Sequence, residues 1–599
     1  MSSLLASVYL PALGRFVFAA ILVASFSLIG FGCIPASFRP RQGRLSVPLG
    51  LSFGAVLFGW CAWIAGTLFG TPAVLPCYAL LLLLSLPRGR TWWQAASALG
   101  REVFSLLAHH KVLSALLALP IVAILPQLLL PVVDSDGLRY HLALPRLFLL
   151  TGHVFYYRWD VTGAFPQTSE MIYLLAMKIA GGETAKFIHA FFFVANLVVL
   201  ILLLHRDHRS RASALLAPFL FAVSPVVLAP AASAFIDHIA LFHVAVAVLL
   251  IMRGTSWIAG LPLGAAMATK ITTAPAIAAA VMACLVQARE HRGRLAAALI
   301  LPVVIFFAPF AIRNVMNTGD PFYPIGYGLL NKDIPGLRAG GLSYASQYHA
   351  NISGVVGIPW QNDTGVQPDE VVGLHHLLGL FTLLLAVRDR RLLLPLLIVL
   401  AYLGVAVLFR APARYFLPML WALSIFEATA LAFARRWAIP MAVVLALPAA
   451  LGSASALWTF GPPFPYLRGE ETANELRARL VPGYRVITVV NTLPAGGSVM
   501  AMDFPAPYYL NRPWIVEGIL HDPPLKIWLD QGLSPERILQ RLKAMDVRYV
   551  LVTPGYGGGT KWSMLPLAGR RQEIPAVVRL RGQLRLISSV DGVDVYAVP

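Results

Sequence analysis

The run Val133-Asp134-Ser135-Asp136-Gly137-Leu138-Arg139-Tyr140-His141 sets two carboxylates two positions apart, directly after the apolar stretch 112–133. That stretch is long enough to cross a bilayer, which takes about 20 apolar residues. Carboxylates at its exit stand at the lipid–water boundary, the depth at which an acid or base would act on a lipid-anchored substrate. Ionisable groups in or beside a membrane are costly to keep, so they are functional candidates by default. The plain alternative is that Asp134 and Asp136 only end a helix and face water.

Four further features fall near the same membrane face. Asp237-His238 sits in the very short turn 233–238, and Lys270 interrupts the apolar segment 256–287. Arg313-Asn314 closes a helix ahead of Thr318-Gly319-Asp320-Pro321-Phe322-Tyr323-Pro324, and Arg410-Ala411-Pro412-Ala413-Arg414-Tyr415 forms the last short outer loop. Each has an ordinary reading as well. Asp237 suits a helix N-cap, Lys270 can snorkel to the interface, and arginines anchor helix ends. Carboxylates deprotonate hydroxyls or hold metals, whereas arginine and lysine bind phosphate. Together the set suits an acceptor hydroxyl meeting a phosphate-linked donor. His238 and His243 lack a metal-ligand spacing, and the acceptor motifs at 351–353 and 362–364 are short enough to arise by chance.

The elements that must position these residues are membrane helices. Of 599 residues, 58% are hydrophobic and 13% charged, against about 25% charged in soluble chains. The net charge of +19 lies in short clusters between apolar runs (39–44, 205–209, 289–294, 388–391, 435–436), a positive-inside pattern rather than a nucleic-acid surface. Cys33, Cys61, Cys77 and Cys284 lie within apolar runs, with neither metal spacing nor a disulfide framework. Apolar segments at 16–34, 46–70, 72–87, 112–133, 184–204, 212–234, 236–252, 256–287, 295–312, 372–387, 392–409, 416–433 and 438–457 predict about 13–14 spans, with 256–287 broken at Lys270. Placing the basic clusters inside puts the loops 134–183 and 313–371, and the tail after 457, on the outer face, the periplasm in a bacterium.

The 134–183 loop carries two helical patterns, one over Leu142 to Leu149 and one over Met171 to Ile179. Both are too short to span, so interfacial amphipathic helices are expected. The aromatic run 155–159 between them reads as an interfacial belt. Beyond Gly483, β-like runs (485–490, 498–501, 549–552), a charged helix (534–545) and a hairpin turning at Asp591-Gly592 predict a small α/β domain. The glycine-rich run 555–560 lacks phosphate-loop spacing, since Trp562 follows Lys561.

With these pieces in order, residues 112–599 resemble the GT-C glycosyltransferases of the bacterial family-39-like group, which are similar to protein O-mannosyltransferases and the lipid A aminoarabinose transferase. The resemblance rests on 134–136 with 140–145, on 169–173, 233–238, 264–270, 313–324 and 414–418, and on the tail motif 508–513. It implies a polytopic α-helical membrane protein in three parts: added helices over 1–111, a catalytic module over 112–457, and an extracytoplasmic α/β domain over 458–599. It implies an inverting transfer from a polyprenyl-phosphate sugar to a lipid, glycan or protein acceptor at the bacterial inner membrane, with the active site facing the periplasm. Asp134 or Asp136 would be the general base and Asp237 a second acid, while Lys270, Arg313 and Arg414 would face the donor phosphate. Arg139, Tyr140, His141 and Glu170 are implied donor or acceptor contacts. No cofactor is certain, and a divalent metal held by Asp136 and Asp237 is left open.

A secondary transporter or flippase would share the helix count, the broken segment and Lys270. Transporters are commonly built of repeated halves with paired broken helices, and no second copy of the 134–183 or 256–287 blocks is evident in the sequence. A non-catalytic envelope scaffold would leave two carboxylate sites without a task.

Overall fold

The apolar runs form helices because a backbone that leaves water must satisfy its N–H and C=O groups within the segment. The computed structural model describes residues 4–40, 42–205, 213–288, 290–324, 372–373, 375–384, 389–408, 412–459, 462–501, 504, 506–516, 524–552 and 579–599. Arg410, the 351–353 and 362–364 motifs and the 555–560 run lie outside them. Among the described residues, eight helices are long and apolar enough to cross a membrane, or nine if the bent pair Ala214–Ala222 and Pro225–Ala231 is one span. Four shorter apolar helices accompany them, namely Asp237–Met252, Ile271–Gln287, His375–Leu384 and Ala438–Ala454. The predicted number of spans is approached only by counting these.

Helices Leu10–Cys33 and Ser46–Leu68 cross at glycines: a Cβ on Gly30 would overlap the Gly50 carbonyl, and one on Gly54 the Phe26 carbonyl. Between lipid-solvated helices such close approach replaces the hydrophobic drive that water would supply. Gly59 on the second helix abuts the backbone of Thr168, whose hydroxyl donates to the Ala268 carbonyl at 2.7 Å. The N-terminal helices thus buttress the helix Thr168–Ala180. That helix and Ala143–Thr151 fall where the sequence periodicity puts them. Thr168–Ala180 is not interfacial, however, because its residues 168–176 are all enclosed by protein. Beyond residue 87 the helix Gly89–His109 continues the segment from Thr71. Arg88, Arg90, Gln94, Arg101 and Glu102 interrupt its apolar pattern, which is why the sequence reads as ending earlier.

The 256–287 segment breaks where expected. Helix Gly260–Thr269 stops at Lys270, which is extended (φ −153°, ψ 120°), and Ala274–Gln287 resumes after a short 3-10 turn.

The tail forms a five-stranded sheet of order β2-β1-β3-β5-β4, with β1 Ser498–Ala501, β2 Trp514–Val516, β3 Val547–Val552, β4 Arg585–Val590 and β5 Val593–Ala597. β1 pairs in parallel with β2 and β3, and β5 antiparallel with β3 and β4. The β4–β5 turn has Asp591 and Gly592 at φ 49° and 75°, the left-handed pair of a two-residue hairpin. The run 485–490 is corrected from strand to helix (Tyr484–Thr492). Its buried residues Val486, Ile487 and Val490 share one helical face, and Arg512 donates to the carbonyls of Val490 and Leu493 at the helix end (3.0 and 2.9 Å).

This sheet domain is docked on the first outer loop. Tyr509 donates to the Val132 carbonyl at 2.8 Å, and Arg146 to Asn511 at 2.9 Å. The buried Tyr157 hydroxyl donates to the Val516 carbonyl and accepts its N–H, at 2.7 and 2.8 Å. Trp159 meets Trp528 edge to face. The aromatic run read as an interfacial belt therefore serves as the domain's seat.

Candidate active site

Helix Leu125–Leu128 ends a few residues ahead of Asp134, and a turn over 135–141 follows. Asp134 caps this turn. One carboxylate oxygen accepts the Gly137 N–H at 2.8 Å, and the other accepts the Ala234 N–H at 3.2 Å. It therefore ties the first outer loop to the 233–238 turn. Only 3% exposed, its carboxyl is pushed above the ordinary range by burial, which the two amides and Lys186 only partly offset.

Asp136 is placed differently. Its Oδ2 accepts from the Tyr140 hydroxyl and from Arg414 Nη2, both at 2.7 Å. Burial alone would raise its carboxyl, but Arg414, with help from His141 and Tyr140, outweighs burial and holds it below the ordinary range. The side chains of Asp136 and Arg414 remain 11% and 13% exposed, so the pair is reachable where Asp134 is not.

Asp237 opens the helix Asp237–Met252, and its Oδ1 accepts from Lys270 Nζ, at the helix break, at 2.6 Å. Its Oδ2 is buried with no partner. Tyr415 stands between the two cations, its ring centre 4.6 Å from Lys270 Nζ and 5.9 Å from the Arg414 guanidinium. Arg414 also lies 4.8 Å over the Phe235 ring. Four residues that the sequence singled out are thus gathered from four separate segments into one neutral quartet, Asp136–Arg414 and Asp237–Lys270.

The 233–238 turn is fixed from all sides. Tyr173 donates to the Phe235 carbonyl, and Asn196 to that of His238 at 2.9 Å. His189 donates from Nδ1 to the Pro230 carbonyl and accepts the His238 N–H on Nε2, both at 3.0 Å. His238 donates to the Val227 carbonyl at 2.9 Å. Its role is to hold backbone, whereas His243 bonds the Ser52 hydroxyl at 2.8 Å and ties two helices together.

Arg313 requires a correction. Its guanidinium donates to the carbonyls of Ala164 and Phe165, at 2.6 and 3.0 Å, and to Gln167. These bonds tie down the end of the first loop, so its donors are spent on backbone rather than offered to a phosphate. His141 and Glu170 form a buried pair at 2.7 Å, leaving His141 Nε2 and Glu170 Oε2 without partners. Tyr140 is committed to Asp136, while half-buried Arg139 lies near enough to Asp160 to favour its carboxylate.

The quartet does not fit a divalent ion bridging Asp136 and Asp237. Each carboxylate already faces a resident cation, so an ion bridging them would have to displace Arg414 and Lys270. Among the described residues, the one such group of three is His375, His376 and Glu427, away from these aspartates in sequence and contacts. Sequence reasoning missed Lys186, whose ammonium donates to the carbonyls of Gln127 and Leu130 (2.5 and 3.0 Å), and the aromatic spacer Tyr415. A lysine near the start of the apolar run 184–204 was the available signal for the first.

Residues 182–323, which hold Asp237, Lys270 and Arg313, match glycosyltransferase family 87. No curated protein matches the chain. Among solved structures it is similar to ArnT from Cupriavidus metallidurans bound to undecaprenyl phosphate, at 13% identity and a TM-score of 0.51, covering 82% of this chain and 98% of that one. The apo form of the same protein gives equal identity and coverage and a TM-score of 0.48. At this identity the likeness is one of fold, and that fold is the GT-C type expected from the residue motifs. The fold is similar to that of ArnT over most of both chains, and the segment 182–323 matches a glycosyltransferase family, so together they support a membrane glycosyltransferase.

Proposed function

We propose that the chain transfers a sugar from a polyprenyl-phosphate donor to a hydroxyl of an envelope lipid, glycan or protein on the periplasmic face of the bacterial inner membrane, with inversion. The observation that carries this reading is the quartet, two carboxylates and two cations gathered around Tyr415 beside a membrane helix break. The undecaprenyl phosphate bound by the similar ArnT supports a polyprenyl carrier.

In this reading the donor phosphate takes up Arg414 and Lys270, which counter the charge that grows on it as the anomeric C–O bond breaks. Losing Arg414 as its partner raises the basicity of Asp136. Asp136 then accepts the proton of the acceptor hydroxyl while the acceptor oxygen bonds to the oxocarbenium-like anomeric carbon from the opposite face. The products are the inverted glycoside, polyprenyl phosphate and protonated Asp136. Asp237 holds Lys270 in place, and Asp134 holds the two loops together.

Mass spectrometry of envelope glycans and glycolipids tests this in three strains: wild type, deletion, and deletion complemented with Asp136→Asn at normal membrane level. Loss of one sugar-sized mass in both altered strains is expected, and it names sugar and acceptor together. Restoration of the wild-type pattern by Asp136→Asn would overturn the base assignment.

A further inference from the structure

A second polar cluster lies away from the quartet. His375 and His376 open the helix His375–Phe381, Glu427 sits within Leu417–Ala432, and Ser224 occupies the break between Ala214–Ala222 and Pro225–Ala231, where the chain bends by 77°. His375, His376 and Glu427 are each 2% exposed or less. One potential ligand atom from each lies within 4.8 Å of the other two.

The hydrogen bonds around the cluster leave it incomplete. His375 Nε2 lies 2.8 Å from the Leu220 carbonyl, which can only accept, so Nε2 carries the proton and Nδ1 is a bare lone pair. That Nδ1 has no partner, and neither has Glu427 Oε2. His376 bonds Glu427 Oε1 through Nδ1 and Ser224 Oγ through Nε2, both at 2.7 Å. A buried acceptor left bare is unfavourable, and two unprotonated acceptors cannot satisfy one another. Both can be satisfied by one cation. A ring N–H donating to a backbone carbonyl while the other nitrogen stays bare is also how metal-bound histidines are held. Two glycines make the room: a Cβ on Gly373 would overlap the His375 ring, and one on Gly379 the Glu427 carboxylate.

We propose that His375, His376 and Glu427 form a divalent-metal site, with the Ser224 hydroxyl beside it as a fourth ligand. Two nitrogens and a carboxylate suit zinc, at bonds of about 2.0–2.2 Å. Tetrahedral geometry at such bonds sets the ligand atoms about 3.3–3.6 Å apart, so the side chains close by up to about 1.4 Å around the ion. The ion would clamp the Ser224 end of Pro225–Ala231. The far end of that helix runs into the 233–238 turn that carries Asp237, so the site braces the catalytic turn from outside it.

The test uses the full chain in detergent, stripped with a chelator and titrated with Zn(II). One tightly held zinc per chain is expected, and zinc should raise the unfolding temperature of the stripped protein. X-ray absorption of the loaded wild type should show two imidazoles and only oxygen otherwise, an assignment that needs no variant. Glu427→Gln and His375→Gln should each weaken zinc at least 100-fold, while Asp136→Asn leaves it unchanged. The proposal is overturned if stripped wild type takes up no stoichiometric zinc, if the bound shell lacks two imidazoles, or if folded Glu427→Gln and His375→Gln retain the affinity. A cluster that only hydrogen-bonds would give the first of these results. None of these readouts depends on transferase activity, so they stand or fall apart from the proposed reaction.

Discussion

Asp134 and Asp136 are two residues apart and have opposite environments. Asp134 is closed off and bonded to two amides, whereas Asp136 is reachable and paired with Arg414. Replacing Asp136 with Asn should lower turnover by about 10²–10⁴-fold, measured with the protein still folded in the membrane. Asp134→Asn can still accept only one of the two N–H bonds, and a buried donor left unmet costs about 1–3 kcal/mol. Its defect should therefore appear in thermal unfolding, with transfer by the folded fraction largely kept. The pH profile separates the two as well. A base must be ionised, so the rate falls as pH drops through its pKa. Asp136 is held below the ordinary carboxylate value, which puts the acid limb of kcat/KM at or below about pH 4. A limb above that value would reassign the base to Asp134, whose shift has the opposite sign. Arg414→Lys keeps the charge but loses the planar fork. It should raise the donor KM about tenfold, close to 1.4 kcal/mol, and an unchanged KM would make Arg414 an anchor. These residues were legible in the sequence because each is ionisable in apolar surroundings. Arg313 looked identical by that criterion, and only its long-range carbonyl partners distinguish it.

At the scale of elements, the break at Lys270 was legible because a charge interrupts a segment too long for one span. Gly89–His109 was not, since its polar residues mimic a loop. Likewise the β-branched residues of 485–490 suggested a strand although their buried positions follow a helix. Nothing in one sequence reveals which helices cross at glycine, yet this crossing supports the first outer loop from behind. A side chain at Gly54 must push the Phe26 backbone away. Gly54→Leu should cost about 1–3 kcal/mol through overpacking, read as a lower unfolding temperature in detergent. Unchanged stability would mean the crossing tolerates several ångströms of separation.

Across the whole molecule, the tail was legible as a small α/β domain, but its seat was not, because the contacts join residues hundreds of positions apart. Tyr157 and Tyr509 bind it to the first outer loop, the second through Val132, two residues ahead of Asp134. Replacing both tyrosines with Phe should loosen the domain, raising protease sensitivity near 460 and lowering transfer. If cleavage increases while transfer is unaffected, the domain is not needed to hold the loop. The quartet itself has a consequence for the timing of the cycle. Empty, it is neutral; a phosphodiester donor gives it one net negative charge. In the proposed transfer the departing phosphate gains a second negative charge as Asp136 loses its own to the acceptor's proton. Total charge in the cleft is then constant through bond exchange, and the low dielectric there exacts little for a charge that only moves a few ångströms. The electrostatic barrier falls instead on departure, when a dianionic lipid must be drawn away from Arg414 and Lys270, which makes release of the spent carrier the natural slow step.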